Sequence, residues 1–330
     1  MVTIKDVAKR ANVSISTVSR VLNDSDHPVN TDTRQRILRA IEELGFYPNA
    51  MARSLQQNKT KTIGLIVPDI ANPYYPGIVR GVEDVARELG YTVILCNADR
   101  SRERTQQYLR VLREKRVDGI IFTGGGAVED AIQGDFLDGK VATVVIGKHR
   151  ANLPAVRVDN IQAAREACGY LVKQGHNDIL TIAGPETSTT AQDRLKGFRK
   201  ALCEFGIIQR TERIVKGNFE FEGGYSAIQN MLRSGIGNVT AVIAQNDLMA
   251  IGAIKALNEK KIRVPEDIVV LGFDDIPVAS YYNPKLSTVA VPVYELGTTA
   301  MRVIGQLLKG NQVPQVTTLE AKLVLRESTK

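Results

Sequence analysis

Two groups of side chains in this sequence have the types and spacing for recognition chemistry. The first lies at 13–24, VSISTVSRVLND, where Ser14, Ser16, Thr17 and Ser19 crowd around Arg20. At about 100° per residue, Val18, Val21 and Leu22 share one side of a helix, Ser16, Arg20 and Asn23 the other, with Thr17 and Ser19 on the flanks. Ser and Thr are middling helix formers, and an ordinary solvated face is richer in Glu and Lys. Short hydroxyls around one guanidinium, with no carboxylate before Asp24, suit hydrogen bonding to a partner. Taken alone, the same residues also fit a short polar surface helix.

The second group follows the ends of apolar, strand-length runs. Asn72, Tyr74 and Tyr75 come after Val67, Lys148 after Ile146, Gln192 and Arg194 in the loop after Ala183, Asn246 after Ala244, and Asp274 after Gly272. Aromatic rings pack on apolar C–H faces while Arg, Asn and Asp take hydroxyls in bidentate fashion, which together make a polyol site. Each has a plainer alternative: Asn246 and Asp274 as caps, the tyrosines as half-buried loop residues, Arg194 as a surface ion pair. Recurrence at several strand ends favours the functional reading.

These groups need elements to hold them. Thr3, with Asp6 three residues on, is close to a capping box and opens a short helix that packs Val7, Ala8 and Ala11. After a turn at 11–13, Ser14 caps a second helix. A third starts at 31–33, directs Ile37, Leu38, Ile41 and Leu44 inward and stops at Gly45. Two short helices propped by a third form a helix-turn-helix, whose second helix enters the DNA major groove. Asn49 can cap a helix of two turns before Leu55, too short to persist without a partner surface. Leu55 is either a packing residue or a minor-groove wedge.

Further on, apolar runs at 62–67, 92–96, 119–122, 143–146, 179–183, 241–244 and 268–272 alternate with helical patterns at 77–89, 106–115, 162–174, 195–205 and 248–260. This is a parallel-sheet α/β pattern that runs twice, implying two similar subdomains with a cleft between them. Ligands in such sheets gather beyond the carboxyl ends of the strands, where the second group lies.

Composition bounds the rest. With 330 residues, 43% of them hydrophobic, the chain can bury more than one core. No run reaches the roughly 18 apolar residues of a membrane span, and the N-terminus lacks a signal-peptide apolar region. Cys96, Cys168 and Cys203 are widely spaced and read as reduced thiols of a cytoplasmic protein. Of the net charge of +7, residues 1–61 carry ten Lys/Arg against six Asp/Glu and the remainder 33 against 30, a small basic head on a nearly neutral body. His27, His149 and His176 have no metal-ligand spacing. The glycines at 124–126 lack phosphate-loop spacing and read as a turn, and no nucleophile elbow occurs. No catalytic residue, metal or cofactor is expected.

The segments TIKDVAKRANVSISTVSRVLND and LGFYPNAMARSL resemble the DNA-binding head of the LacI/GalR family of bacterial repressors. PDIANPYYP, TTAQDRLKGF, AQNDLMAIGA and GFDDIP are similar to segments of ribose-type members and of the related periplasmic sugar-binding proteins. The resemblance covers essentially the whole chain. It implies that Ile15, Ser16 and Arg20 read bases, Arg20 through guanine O6 and N7 at about 1–3 kcal/mol of discrimination and Ile15 through apolar contact such as a thymine methyl. It makes Leu55 the wedge of paired hinge helices, with Asn49, Ala52 and Arg53 beside it, and adds Thr3, Ser14, Thr17, Ser19, Asn23 and Thr33 to the DNA-contacting set. In the cleft it implies an effector site of Asn72, Tyr74, Tyr75, Arg194, Phe219, Asn246 and Asp274, to which the strand-end reading adds Gln192. Gly147-Lys148 stands where the ribose pattern has an Asp-Arg pair, and Val291 where it has Gln. These departures point to a phosphorylated or acidic sugar derivative with Lys148 as its counter-charge.

The expected architecture is α/β: a helix-turn-helix head at 1–46, a hinge helix and linker at 47–61, and a periplasmic-binding-protein-like core at 62–330. Within the core the N-subdomain takes about 62–160 and 291–317, the C-subdomain 161–290 and 318–330. The expected function is a sequence-specific repressor, a homodimer on a near-palindromic operator, controlled by a small sugar or sugar acid. The resemblance implies a dimer contact along the body, chiefly through helices such as 77–89 and 106–115. No leucine heptads follow the strand-like run at 318–325, so a dimer rather than a tetramer is expected. An effector that shifts the subdomains would respace the hinges at 49–55 and release DNA. A co-repressor such as a purine, or a partner protein, would use the same parts with the opposite sign. A transport-type sugar-binding protein has no use for residues 1–61, and a sugar-modifying enzyme would need a phosphate loop or general base absent here.

Overall fold

A computed structural model describes residues 2–22, 28–46, 59–124, 141–149, 152–208, 210–235 and 237–330. Contacts divide the chain into two units, Met1–Thr60 and Lys61–Lys330. The hinge segment at 49–55 and the turn residues Gly125 and Gly126 lie outside the described residues.

In the first unit, α1 (Ile4–Ala11) opens on the Thr3–Asp6 capping box, in which Asp6 accepts from the Thr3 backbone N–H at 2.8 Å. It ends where Asn12 turns left-handed at φ 54°. Helix α2 (Ile15–Leu22) starts behind Ser14, whose Oγ accepts from the Thr17 N–H at 3.2 Å. Helix α3 (Thr31–Leu44) is capped by Asn30 and stops at Gly45, φ 58°. Val7, Ala8, Ala11, Val18, Val21, Ile37 and Ala40 form the small core. Leu38 corrects the expected packing: it is 49% exposed. The inward stripe runs Ile37, Ala40, Ile41, Leu44, and Leu38 stands about 100° away from Ile37 on the outer face.

The second unit holds two six-stranded sheets. The first contains β1 (Thr62–Val67), β2 (Thr92–Asn97), β3 (Gly119–Thr123), β4 (Ala142–Ile146), β5 (Ala155–Val158) and β11 (Val316–Leu319), in the order β11-β5-β4-β3-β1-β2, all parallel. The second contains β6 (Ile179–Ala183), β7 (Ile214–Lys216), β8 (Ala241–Ala244), β9 (Val269–Asp274), β10 (Ser287–Ala290) and β12 (Lys322–Val324). Its order is β12-β10-β9-β8-β6-β7, with only the β10–β12 pair antiparallel. Central strands such as GIIFT in β3 and AVIA in β8 are buried throughout, as strands covered by helices on both faces must be.

Those helices are α4 (Tyr74–Glu88), α5 (Arg102–Glu114), α6 (Asn160–Lys173), α7 (Thr189–Glu204), α8 (Phe221–Ser234), α9 (Asp247–Glu259) and α10 (Val293–Leu307). Five of them begin one to six residues before the apolar pattern suggested. Side-chain caps from Ser101, Asp159, Ser188 and Asn246 set four of the starts, and a polar first turn carries no apolar periodicity. Helix α4 packs so closely on α10 that a Cβ on Gly81 would lie 2.2 Å from the Tyr294 carbonyl oxygen. Tyr74 and Tyr75, in the first turn of α4, pack against the main core.

The chain passes between the sheets after β5, after β10 and after β11. The expected strand at 318–325 is in fact two, one in each sheet. Thr318 and Leu319 still pair with Arg157 and Val158, so the backbone ladder holds the chain in the first sheet until Glu320. The boundary expected between 317 and 318 therefore moves to Glu320 and Ala321.

Candidate functional site

Two sites can be built from these elements, one in each unit. On the head, Val18 and Val21 anchor α2 to its core and leave Ile15, Ser16 and Arg20 exposed. Ser14 Oγ lies 2.8 Å from both Ser16 Oγ and Thr17 Oγ1, a hydroxyl chain at the start of the helix. Arg20 forms no ion pair among the described residues and stands ready for an anion or base edge. Thr3 is occupied by its capping box, and Thr33 accepts a 3.4 Å bond from Arg36. Asn23, Asn49, Ala52, Arg53 and Leu55 fall outside the described residues.

In the core, a cavity of about 600 Å³ lies beyond the carboxyl ends of both sheets. That is within the range of small-molecule sites. Asn72, Tyr74, Tyr75, Arg194, Phe219, Asn246 and Asp274, far apart in sequence, line this one space. The two tyrosine rings meet edge to face, centroids 5.2 Å apart, and burial pushes both phenols above their ordinary pKa, so they remain protonated donors. Asn72 Oδ1 accepts from the Tyr74 N–H at 3.0 Å and fixes the turn before them.

Arg194 organises the opposite wall. It is 3% exposed, with Nε donating to Asn160 Oδ1 at 2.9 Å, Nη1 to the Gln245 carbonyl and Nη2 to Asp274 Oδ1 at 2.9 Å. Its guanidinium carbon stacks 3.6 Å from the centre of the Phe273 ring. A guanidinium has five N–H donors, so two are left for a ligand. Asp274 sits at φ 116°, a backbone region costly for any residue but glycine, which aims its carboxylate into the cavity. Burial raises Asp274 to about 6, and the Arg194 charge and hydrogen bond work against that rise. Asn246 caps α9 through Met249 N–H and donates to the Phe219 carbonyl at 2.8 Å. Phe219 itself, at φ 67°, lays its ring on Gly184, where any Cβ would be 2.3 Å away.

A model of periplasmic binding proteins and the sugar-binding domain of the LacI family matches residues 60–327, and one of bacterial regulatory proteins of the lacI family matches 3–49. The chain belongs to the lacI family. Family membership makes it a DNA-binding transcriptional regulator rather than an enzyme. It is 42% identical to the HTH-type transcriptional regulator RegA of Clostridium saccharobutylicum, over 99% of this chain and 98% of that protein. Among solved structures it is similar to a lac repressor dimer bound to operator and the anti-inducer ONPF, at TM-score 0.89 and 31% identity over 99% of each chain. It is also similar to a CelR–cellobiose complex, at TM-score 0.73 and 32% identity over 99% of this chain and 100% of that one. No helix among the described residues is long and apolar enough to cross a membrane.

Two expected residues of this lacI-family cleft are not on its wall. Lys148 turns its ammonium to Asp193, 2.8 Å away, so its charge is already spent and it does not line the cavity. Gln192 donates to the Glu186 carbonyl at 2.7 Å, bracing its own loop. The wall gains residues that the sequence reading missed, among them Arg100, Arg102, Arg157 and Asn160. Arg157 had a visible signal: it is the charged residue in the otherwise apolar strand AVRV of β5.

Proposed function

We propose that this regulator is a cytoplasmic homodimeric repressor whose operator affinity is set by a polyol effector in the cleft. The observation that carries the reading is the Arg194–Asp274 pair. A buried guanidinium and carboxylate, pre-positioned by Asn160 and the Gln245 carbonyl, retain donors and acceptors facing a cavity edged by aromatic rings. That is the chemistry of hydroxyl recognition. The cellobiose complex and the operator-bound lac repressor dimer support a sugar effector, a two-fold partner and operator DNA.

On the head, Ile15, Ser16 and Arg20 read bases, while Thr3, Ser14, Thr17, Ser19 and Thr33 position α2 or contact phosphates. The hinge residues Asn49, Ala52, Arg53 and Leu55 would contact the minor groove, and Asn23 would add a further DNA contact. Ligand in the cleft changes how the two subdomains sit on each other. It alters DNA affinity by no more than its differential affinity for the two arrangements.

The test is selection of binding sites from random duplex DNA by the full chain, followed by a thermal-shift screen of sugars, sugar phosphates, sugar acids and purines. The reading expects a near-palindromic site and a polyol hit that weakens binding to it. Enrichment of no sequence, or a purine as the only hit, would count against it.

A further inference from the structure

We propose that the cleft selects an anionic polyol, a sugar bearing a phosphate or carboxylate, and that Arg157 takes its charge. The inference rests on the reading of the cleft as the effector site and names the class of effector.

The charge inventory of the wall carries the argument. Among the described residues, four arginines, Arg100, Arg102, Arg157 and Arg194, face the cavity with one carboxylate, Asp274. Asp274 is matched by Arg194 at 2.9 Å. Arg100 is matched at the mouth by Glu220 at 3.0 Å, and it also donates to the Asn218 carbonyl. Arg102 is exposed in the first turn of α5, where water solvates its charge. Arg157 has neither hydrogen bond nor ion pair among the described residues. It is half-buried on β5 between Val156 and Val158, which are 0% and 6% exposed.

A guanidinium partly withdrawn from water with no counter-ion carries a desolvation cost that an arriving anion relieves. Its planar fork matches carboxylate and phosphate in the same two-point geometry. Lys148, the cation that the sequence offered for this task, is neutralised by Asp193, so the role passes to Arg157. The cavity then divides its work: Arg194, Asp274 and Asn246 take hydroxyls from the second subdomain, and Arg157 takes the anion from the first.

The test uses the full chain and titration calorimetry with matched probes: glucose, glucose 6-phosphate and glucuronate, then ribose, ribose 5-phosphate and ribonate. At least one anionic probe should bind 10- to 100-fold more tightly than its neutral parent, the range of a charge-assisted contact (roughly 1.5–3 kcal/mol). Arg157→Gln should cut that ratio below about threefold while leaving the neutral sugar within about twofold. Raising salt should weaken the anionic probe alone, and the phosphate and carboxylate arms identify the group. The inference is overturned if the neutral sugar binds as tightly, if no anionic probe binds, or if Arg157→Gln keeps the preference. Phe219→Ala separates the two readings: binding that survives it unchanged removes the cleft itself, whereas binding lost in Phe219→Ala, with the parent chain preferring the neutral sugar, removes only the role of Arg157.

Discussion

Lys148 and Asp193 meet across the cleft, the Lys148 Nζ lying 2.8 Å and 2.9 Å from the two carboxylate oxygens. Lys148 follows β4 of the first sheet and Asp193 belongs to α7 beside the second, so the pair ties one subdomain to the other. Thr189 Oγ1 adds a 3.4 Å bond to the Lys148 carbonyl. Arg100 makes a second tie, from the end of β2 to Glu220 and the Asn218 carbonyl. A residue whose charge is spent in this way acts on the ligand through closure rather than contact.

Lys148→Met should therefore change the affinity of charged and neutral ligands by the same factor. With Lys148 46% exposed, the pair is worth no more than about 1 kcal/mol, or about fivefold. The double exchange Lys148→Asp with Asp193→Lys should restore most of the loss. Titration calorimetry with one neutral and one anionic ligand checks this. A selective loss of the anionic ligand would show that Lys148 contacts it after all.

Arg194→Met removes the partner of a buried carboxylate. Breaking such a pair costs about 3–5 kcal/mol. Asp274 already titrates near 6 and can take up a proton when the guanidinium goes, so the loss should fall at the lower end of that range. Urea unfolding at pH 7 measures it. A loss below about 1 kcal/mol would mean that the pair is solvated.

The pH dependence of stability follows from the same carboxylate. Unfolded, an Asp titrates near 3.9, whereas burial raises folded Asp274 to about 6. Between these values the folded chain holds more protons, so the stability this group contributes is full below about pH 4 and is lost as pH rises through 6. The stability of the parent relative to Asp274→Asn should therefore increase from pH 7 to pH 5. Asp247 is raised by burial and by the neighbouring Asp274 charge; Asp274→Asn removes that charge and lessens the rise, which adds to the parent–variant difference with the same sign. Paired urea titrations at the two pH values decide, and a parent-minus-variant stability that stays flat or falls on acidification would refute the assignment.

The sequence showed where side chains converge better than it showed what each does on arrival. Asn72, Tyr74, Arg194, Asn246 and Asp274 were legible because residues after parallel strands share one end of the sheet whatever the loops do. Lys148 and Gln192 met the same criterion and still turned away, since pairing with Asp193 or the Glu186 carbonyl depends on loop conformation, which has no periodicity. Arg157 was missed for the opposite reason. Its strand is four residues long, too short for alternation to register, and only the sheet order places its end at the cavity.

Leu38 and Ile37 offer a direct comparison on the head. Adjacent in α3, they are 49% and 0% exposed. Ile37→Ala should cost about 2–5 kcal/mol, enough to unfold a core this small. Leu38→Gln should cost under about 0.5 kcal/mol, as surface changes do. Limited proteolysis of the two variants reports the difference as rapid cleavage within residues 2–46 in one and parental resistance in the other. Equal sensitivity would place Leu38 in the core after all.

Arg20 separates reading bases from holding phosphates. Its neighbours Ser14, Ser16 and Thr17 are already linked to one another through their hydroxyls, so the guanidinium is the group on this face left to carry charge outward. If it pairs with guanine, Arg20→Lys loses the two-point fork while keeping the charge. The selected operator should then bind about 1–3 kcal/mol more weakly, with non-specific DNA and the salt slope nearly unchanged. Arg20→Ala should show the same loss in specificity. A phosphate contact gives the reverse pattern: Arg20→Lys close to parental, and Arg20→Ala weakened alike on every sequence, with a salt slope smaller by about one. Fluorescence anisotropy on the selected site and on a scrambled duplex, over a range of salt, distinguishes the two. Equal losses on both duplexes would remove Arg20 from the base-reading set.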